Sequence, residues 1–273
     1  MSPWAEIIGD PVVHSRSPLL HGFWIAAAGI DADYRATRTT PDDLAAFVAA
    51  RRADHDWRGC NVTAPLKQAV LPFLDKVAPD AERVGAVNCI VPETGGLTGY
   101  NTDVDGVAAA LPGEIFEGRP VCMIGAGGAA RAGLVHLAGH ARTVCILARS
   151  PEKAEALRSV APFEIFPFDQ ATEAMDGAAA VVNASTLGMT GAPLMPQFIL
   201  DAMAKAAPGA TVLDMVYSPR DTPFLQAARG HGLASVDGLV MLIGQAKRAF
   251  RLFFGVEPPH GHGDALRELL TRV

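Results

Sequence analysis

Residues Val121-Cys122-Met123-Ile124-Gly125-Ala126-Gly127-Gly128-Ala129-Ala130 carry an apolar strand into a glycine loop that opens a helix. A doubly wound α/β sheet begins its nucleotide site this way, because glycines let the backbone approach a pyrophosphate and the helix N-terminus favours its charge. Any tight strand-to-helix turn also uses glycines, so the loop needs support from the rest of the chain. Its position near the middle of the sequence implies two domains, with an α/β unit preceding it.

Working outward, a second series of elements follows the loop. The periodicity predicts a helix over 130–139, a strand over 143–147, a helix over 152–160, and strands over 179–183 and 211–215. Upstream, strands at 5–8, 60–63 and 87–91 alternate with helical stretches at 19–28 and 44–52, which is α/β by itself. An apolar helix over 239–254 and an amphipathic tail over 264–271 close the chain. These C-terminal helices are expected to return to the first domain. The expected division is 1–103 completed by 238–273, with 104–237 as a Rossmann-type unit.

At 273 residues, 49% hydrophobic and 19% charged, the chain can bury the cores of two modest domains. Its net charge of -6 gives no general attraction to nucleic acid or to an anionic membrane. Any bound anion must therefore be held by a local set of donors. The four cysteines, Cys60, Cys89, Cys122 and Cys145, stand singly with no Cys-x-x-Cys pair, which argues against zinc and suits a reducing cytoplasm. No basic leader or membrane-length apolar run stands in the sequence.

A dinucleotide site that prefers NAD places a carboxylate at the end of its second strand, roughly 20 residues past the glycines, to bind the ribose 2′-hydroxyl. Here that strand ends Ala148-Arg149-Ser150 without a carboxylate. Arg149 offers a planar donor fork, Ser150 a hydroxyl and Lys153 a second cation, a set suited to the 2′-phosphate of NADP. Ser150 before Pro151 also reads as an ordinary helix cap, which leaves Arg149 unexplained.

Two further segments carry polar groups in unusual density. His14-Ser15-Arg16-Ser17-Pro18 precedes a helix, where a serine is by default a cap, yet two hydroxyls beside unpaired amides also suit a small carboxylate. Gly59-Cys60-Asn61-Val62-Thr63-Ala64-Pro65-Leu66-Lys67 ends a strand in polar residues and sets a lysine in an apolar stretch, a position from which most lysines snorkel to water.

In this order, and with Gly85-Ala86-Val87-Asn88, Asn101-Thr102-Asp103, Asp214-Met215-Val216-Tyr217, Asp237-Gly238-Leu239 and Met241-Leu242-Ile243-Gly244-Gln245, the motifs resemble the shikimate dehydrogenase family over nearly the whole chain. The resemblance implies that Ser15, Ser17, Asn61, Thr63, Asn88, Tyr217 and Gln245 hold the carboxylate and hydroxyls of shikimate. It implies proton chemistry by Lys67 and Asp103, and NADP on Gly125, Ala126, Gly127, Gly128, Ala129, Arg149, Ser150, Lys153, Met215 and Gly238, with no metal. It also implies NADPH-dependent reduction of 3-dehydroshikimate in aromatic amino acid biosynthesis, by a monomer or a homodimer.

Two departures stand out. Ala148 occupies the position of an asparagine in the family's cofactor motif, so one contact to the adenosine end is expected to be missing. Val104-Asp105-Gly106 follows Asp103 where the family usually has Gly-x-Gly. Oxidising a secondary alcohol needs a group to exchange the hydroxyl proton, and Lys67 with Asp103 would supply it, unless the two form only a structural ion pair. The alternatives are a dehydrogenase for quinate or a related cyclic hydroxy acid, and a non-catalytic NADP-binding sensor, which would be expected to lack the lysine or the aspartate.

Overall fold

The computed structural model describes residues 2–272, which divide into two compact units, one of residues 2–102 with 245–272 and one of 103–244. The first unit is built on a six-stranded mixed sheet of β1 (Trp4–Gly9), β2 (Asp33–Arg38), β3 (Trp57–Val62), β4 (Lys76–Val77), β5 (Cys89–Glu93) and β6 (Gly96–Tyr100). The strand order is β2-β1-β3-β5-β6-β4, with β1 parallel to both its neighbours and β5 antiparallel to β3 and β6.

This topology gathers the polar segments. The chain leaves β1 and β3 at the same edge, so Ser15 and Ser17 follow one strand while Asn61, Thr63 and Lys67 end the next. Because β5 runs the other way, Asn88 before its first residue stands at that edge too, and β6 delivers Asn101 and Thr102 there. The core beneath is apolar: Trp4, Ile8, Leu44, Val48, Trp57, Val62, Leu66 and Ile90 form one buried cluster.

The second unit is a wholly parallel sheet of β7 (Pro120–Ile124), β8 (Thr143–Ala148), β9 (Glu164–Pro167), β10 (Ala180–Asn183), β11 (Thr211–Asp214) and β12 (Ala234–Val236). Its order, β12-β11-β10-β7-β8-β9, reverses direction between β7 and β10, the switch point at which Rossmann sheets bind their ligand. The helix Gly128–Ala138 begins directly beyond β7, and Val121, Met123, Leu134, Val144, Ile146, Val182 and Leu213 fill one core layer.

Several expectations need adjusting. The helix expected over 152–160 is a four-residue helix, Pro151–Ala154, followed by a 3-10 turn over Glu155–Ser159. Ser150 occupies the cap position, but its side chain makes no capping hydrogen bond. Ser17 is the first helical residue of Ser17–Ala28 rather than its cap; Arg16 holds that place. Strand β2 was not expected, because Asp33-Tyr34-Arg35-Ala36-Thr37-Arg38 is a charged edge strand in which only Tyr34 is buried.

The four cysteines are free thiols. The C-terminal helices Gly238–Phe254 and Gly263–Thr271 return to the first unit from Gln245 onward. There Arg16 donates to the Leu270 carbonyl and Arg248 pairs with Asp80 at 2.5 Å. Among the described residues, no helix is long and apolar enough to cross a membrane.

Candidate active site

In the first unit the expected substrate residues are joined by a buried hydrogen-bond chain. Asn61 and Asn88 are 4% and 3% exposed, so each amide must find protein partners. The Tyr34 hydroxyl donates to Asn61 Oδ1 at 2.7 Å, and Asn61 Nδ2 donates to the Asn88 carbonyl at 3.3 Å. Asn88 then receives the Thr102 amide on Oδ1 at 2.7 Å and donates through Nδ2 to Thr102 Oγ1 at 3.0 Å. The Thr102 hydroxyl also lies 3.3 Å from Gln245 Oε1, which ties the C-terminal helix to the sheet edge.

Two hydroxyls stand at the start of the helix Ser17–Ala28. The Ser17 amide donates to Ser15 Oγ at 3.2 Å, fixing the turn between them. Ser17 is buried, while Ser15 and Thr63 are half-buried. Burial raises the Tyr34 phenol well above its ordinary range. Tyr34 joins the buried chain at Asn61. Sequence reasoning missed it, although a lone aromatic in a charged strand is the available signal. Lys67, half-buried, lies in the short helix Leu66–Ala69, and its carbonyl accepts from the Val87 amide at 2.8 Å. Asp103 opens the helix Asp103–Ala110 of the second unit, with Asp105 in the same first turn.

In the second unit the glycine loop has the properties a pyrophosphate cradle requires. Gly125 has φ 101°, a left-handed conformation that favours glycine, and a Cβ there would come within 2.9 Å of Ser185 Cβ. Gly127 and Gly128 are exposed, and a Cβ on either would meet nothing within 4 Å. The helix Gly128–Ala138 lacks a side-chain cap, so its first amides remain available to an anion. At the end of β8, Arg149 and Lys153 are exposed cations and Ser150 is half-buried, whereas Ala148 is 2% exposed and belongs to the core. These residues fit a dinucleotide with a 2′-phosphate. Ala148 offers it no polar contact.

Met215 and Tyr217 follow β11, also at the carboxyl edge of the sheet, and both are half-buried. Gly238 starts the last long helix against them: a Cβ there would meet the Val216 and Met215 carbonyls at 2.5 and 2.7 Å. Asp214, fully buried, accepts from Asn183, Val216 and Thr222, while burial pushes its carboxyl up to about 6 against those hydrogen bonds. Among the described residues, no group of His, Cys, Asp or Glu side chains is placed to hold a metal ion.

Residues 7–90 match the shikimate dehydrogenase substrate binding domain, and residues 238–260 match the shikimate 5′-dehydrogenase C-terminal domain. The chain is 47% identical over 276 residues to a shikimate dehydrogenase (NADP(+)) of Sphingopyxis alaskensis, covering 99% of this chain and 97% of that protein. A shikimate dehydrogenase (NADP(+)) of Acidiphilium cryptum is 44% identical, with 93% and 91% covered. The crystal structure of shikimate 5-dehydrogenase from Thermus thermophilus, in complex with NADP(H) and shikimate, matches with a TM-score of 0.81 at 34% identity over 99% of each chain. With relatives aligned from end to end and the expected polar sheet edge and glycine loop in place, the chain belongs to the shikimate dehydrogenase family.

Proposed function

We propose that this chain interconverts 3-dehydroshikimate and shikimate with NADPH and NADP, in aromatic amino acid biosynthesis. The observation that carries the reading is the buried chain Tyr34–Asn61–Asn88–Thr102–Gln245 at one sheet edge, with Ser15, Ser17, Thr63 and Lys67 at the same edge. Such a satisfied network presents a fixed set of donors and acceptors to a polyhydroxylated ring, as recognition of hydroxyls requires. Ser15 and Ser17, beside the first amides of their helix, receive the carboxylate.

In the reductive direction NADPH supplies the hydride to the carbonyl carbon. Lys67 donates the proton to the carbonyl oxygen, and Asp103 orients the ammonium. The first unit carries shikimate and the second carries NADP. The net charge of -6 and four free thiols fit an enzyme of the reducing cytoplasm with a small-molecule substrate and no nucleic-acid partner.

Measuring kcat/KM for shikimate and quinate with NADP and with NAD tests the reading. The highest value is expected for shikimate with NADP. A preference for quinate overturns the substrate assignment, and NADPH binding without turnover of 3-dehydroshikimate overturns the catalytic one.

Arg149 tests the cofactor half separately. Losing a charge-assisted contact to the 2′-phosphate costs about 1.5–3 kcal/mol, so Arg149→Ala is expected to lower kcat/KM for NADP by roughly 10- to 100-fold. The value for NAD should change little. An unchanged NADP to NAD ratio would remove Arg149 from the site.

A further inference from the structure

Asn183, Asp214 and Thr222 are each 0% exposed, and they form a continuous polar chain at the carboxyl ends of β10 and β11. Asp214 Oδ1 accepts from Asn183 Nδ2 at 2.9 Å and from the Val216 amide at 3.0 Å, while Oδ2 accepts from Thr222 Oγ1 at 2.6 Å. Ionised carboxylates are costly to bury, and well-packed apolar residues often serve stability equally well. A carboxylate retained here therefore calls for a reason beyond holding the sheet together.

We propose that Asp214 is a positioning residue for the nicotinamide half of NADP, fixing through Asn183, Val216 and Thr222 the two loops that follow β10 and β11. The inference rests on the NADP reading above. From Asn183 the chain continues to the first loop: its Nδ2 also donates to the Leu187 carbonyl at 3.1 Å, and its Oδ1 accepts from the Ser185 amide at 3.1 Å and hydroxyl at 2.6 Å. Ser185 is the residue against which Gly125 packs, so the carboxylate is linked to the glycine loop.

From Val216 the chain reaches the second loop, whose Met215 and Tyr217 flank the bonded amide. The Met215 amide is also held by the Asn183 carbonyl at 3.0 Å. Thr222, the third arm, caps the helix Pro223–Gly230 by accepting from the Leu225 amide at 3.3 Å. One carboxylate thus sets the backbone of residues 183–187 and 215–217 together. The 2′-phosphate end, at Arg149 and Lys153 on β8 and the turn after it, lies outside this chain.

That separation supplies the test. The dissociation constants of NADPH, by its fluorescence, and of adenosine 2′,5′-bisphosphate, by calorimetry, are measured for the full chain and for Asp214→Asn, Thr222→Val and Thr222→Ser. Asp214→Asn and Thr222→Val are expected to weaken NADPH by about tenfold or more while moving the bisphosphate by less than about twofold. Thr222→Ser, which keeps the hydroxyl, restores NADPH binding.

Equal weakening of both ligands means a merely structural role and overturns the inference, as does NADPH binding at the wild-type level in both variants. Should Asp214→Asn fail to fold, the Thr222→Val and Thr222→Ser pair decides. Wild-type protein that binds neither ligand overturns the NADP reading and this inference with it.

Discussion

Replacing Lys67 by Ala is expected to lower kcat for shikimate oxidation by about 10²- to 10⁴-fold, the usual contribution of a positioned acid or base. The fold should survive the change. Lys67 lies in the helix Leu66–Ala69, which is anchored by buried Leu66 with Val70 beyond it and by the Val87 amide donating to the Lys67 carbonyl at 2.8 Å. None of these contacts uses the lysine side chain, and alanine is the better helix former.

The KM for shikimate should move much less than kcat, because Ser15, Ser17, Asn61 and Asn88 remain to hold the ring. Lys67→Arg keeps the charge but not the chemistry, since a guanidinium does not give up its proton near neutral pH. It should recover binding without turnover. Wild-type kcat in Lys67→Ala would remove the lysine from the reaction, and full rescue by arginine would show that it serves only as a charge.

The two units were legible to different degrees. The parallel sheet was readable because β7, β8, β10 and β11 are short apolar runs with glycines or polar residues directly after them. Its last strand, Ala234–Val236, and the edge strand Glu164–Pro167 were not, because edge strands bury little and show no strong periodicity. The first unit was readable as α/β but not as a mixed sheet, since the antiparallel hairpin of β5 and β6 turns on Gly95 and Gly96 between strands of only five residues.

Among site residues, Lys67, Asn61 and Asn88 stand in segments whose polarity breaks an apolar run. Asn183 and Asp214 likewise close the apolar runs of β10 and β11, but their roles, like that of Tyr34, lie in hydrogen bonds between residues far apart in sequence: Tyr34 to Asn61, and Asn183 to Asp214. Spacing along a chain does not encode those distances. They emerge only when strands are placed in order.

His21 carries the second large effect, and it concerns stability. It is fully buried in the helix Ser17–Ala28, stacked on Tyr34 at a centroid distance of 4.2 Å and flanked by Trp24, Phe250 and Phe253. Neither ring nitrogen has a hydrogen-bond partner. Burial lowers its pKa from 6.5 to about 3, so the folded protein keeps the ring neutral where an unfolded chain would protonate it.

The folded pKa is depressed, so this contribution to stability is complete above pH 6.5 and declines as pH falls towards 3. Its full size is at most about 5 kcal/mol, of which about 2 kcal/mol is lost by pH 5. Asp214 acts in the opposite sense, because its pKa is raised from 3.8 to about 6 and protonation there favours the folded state. That group stabilises at the acid end of the same interval, so the acid sensitivity of the wild-type protein is a partial cancellation of the two.

Replacing His21 by Phe separates them, since Asp214 is common to both proteins and phenylalanine retains the stack on Tyr34. Removing two unpartnered nitrogens costs no hydrogen bond, so at pH 7.5 the variant should lie within about 1 kcal/mol of wild type in either direction, with fit of the larger ring setting the sign. At pH 5 it should gain about 2 kcal/mol relative to that difference, as urea unfolding at the two pH values would read. Stability curves that stay parallel from pH 7.5 to 5 would mean that the buried ring takes up its proton inside the folded protein, contrary to the apolar cage that surrounds it.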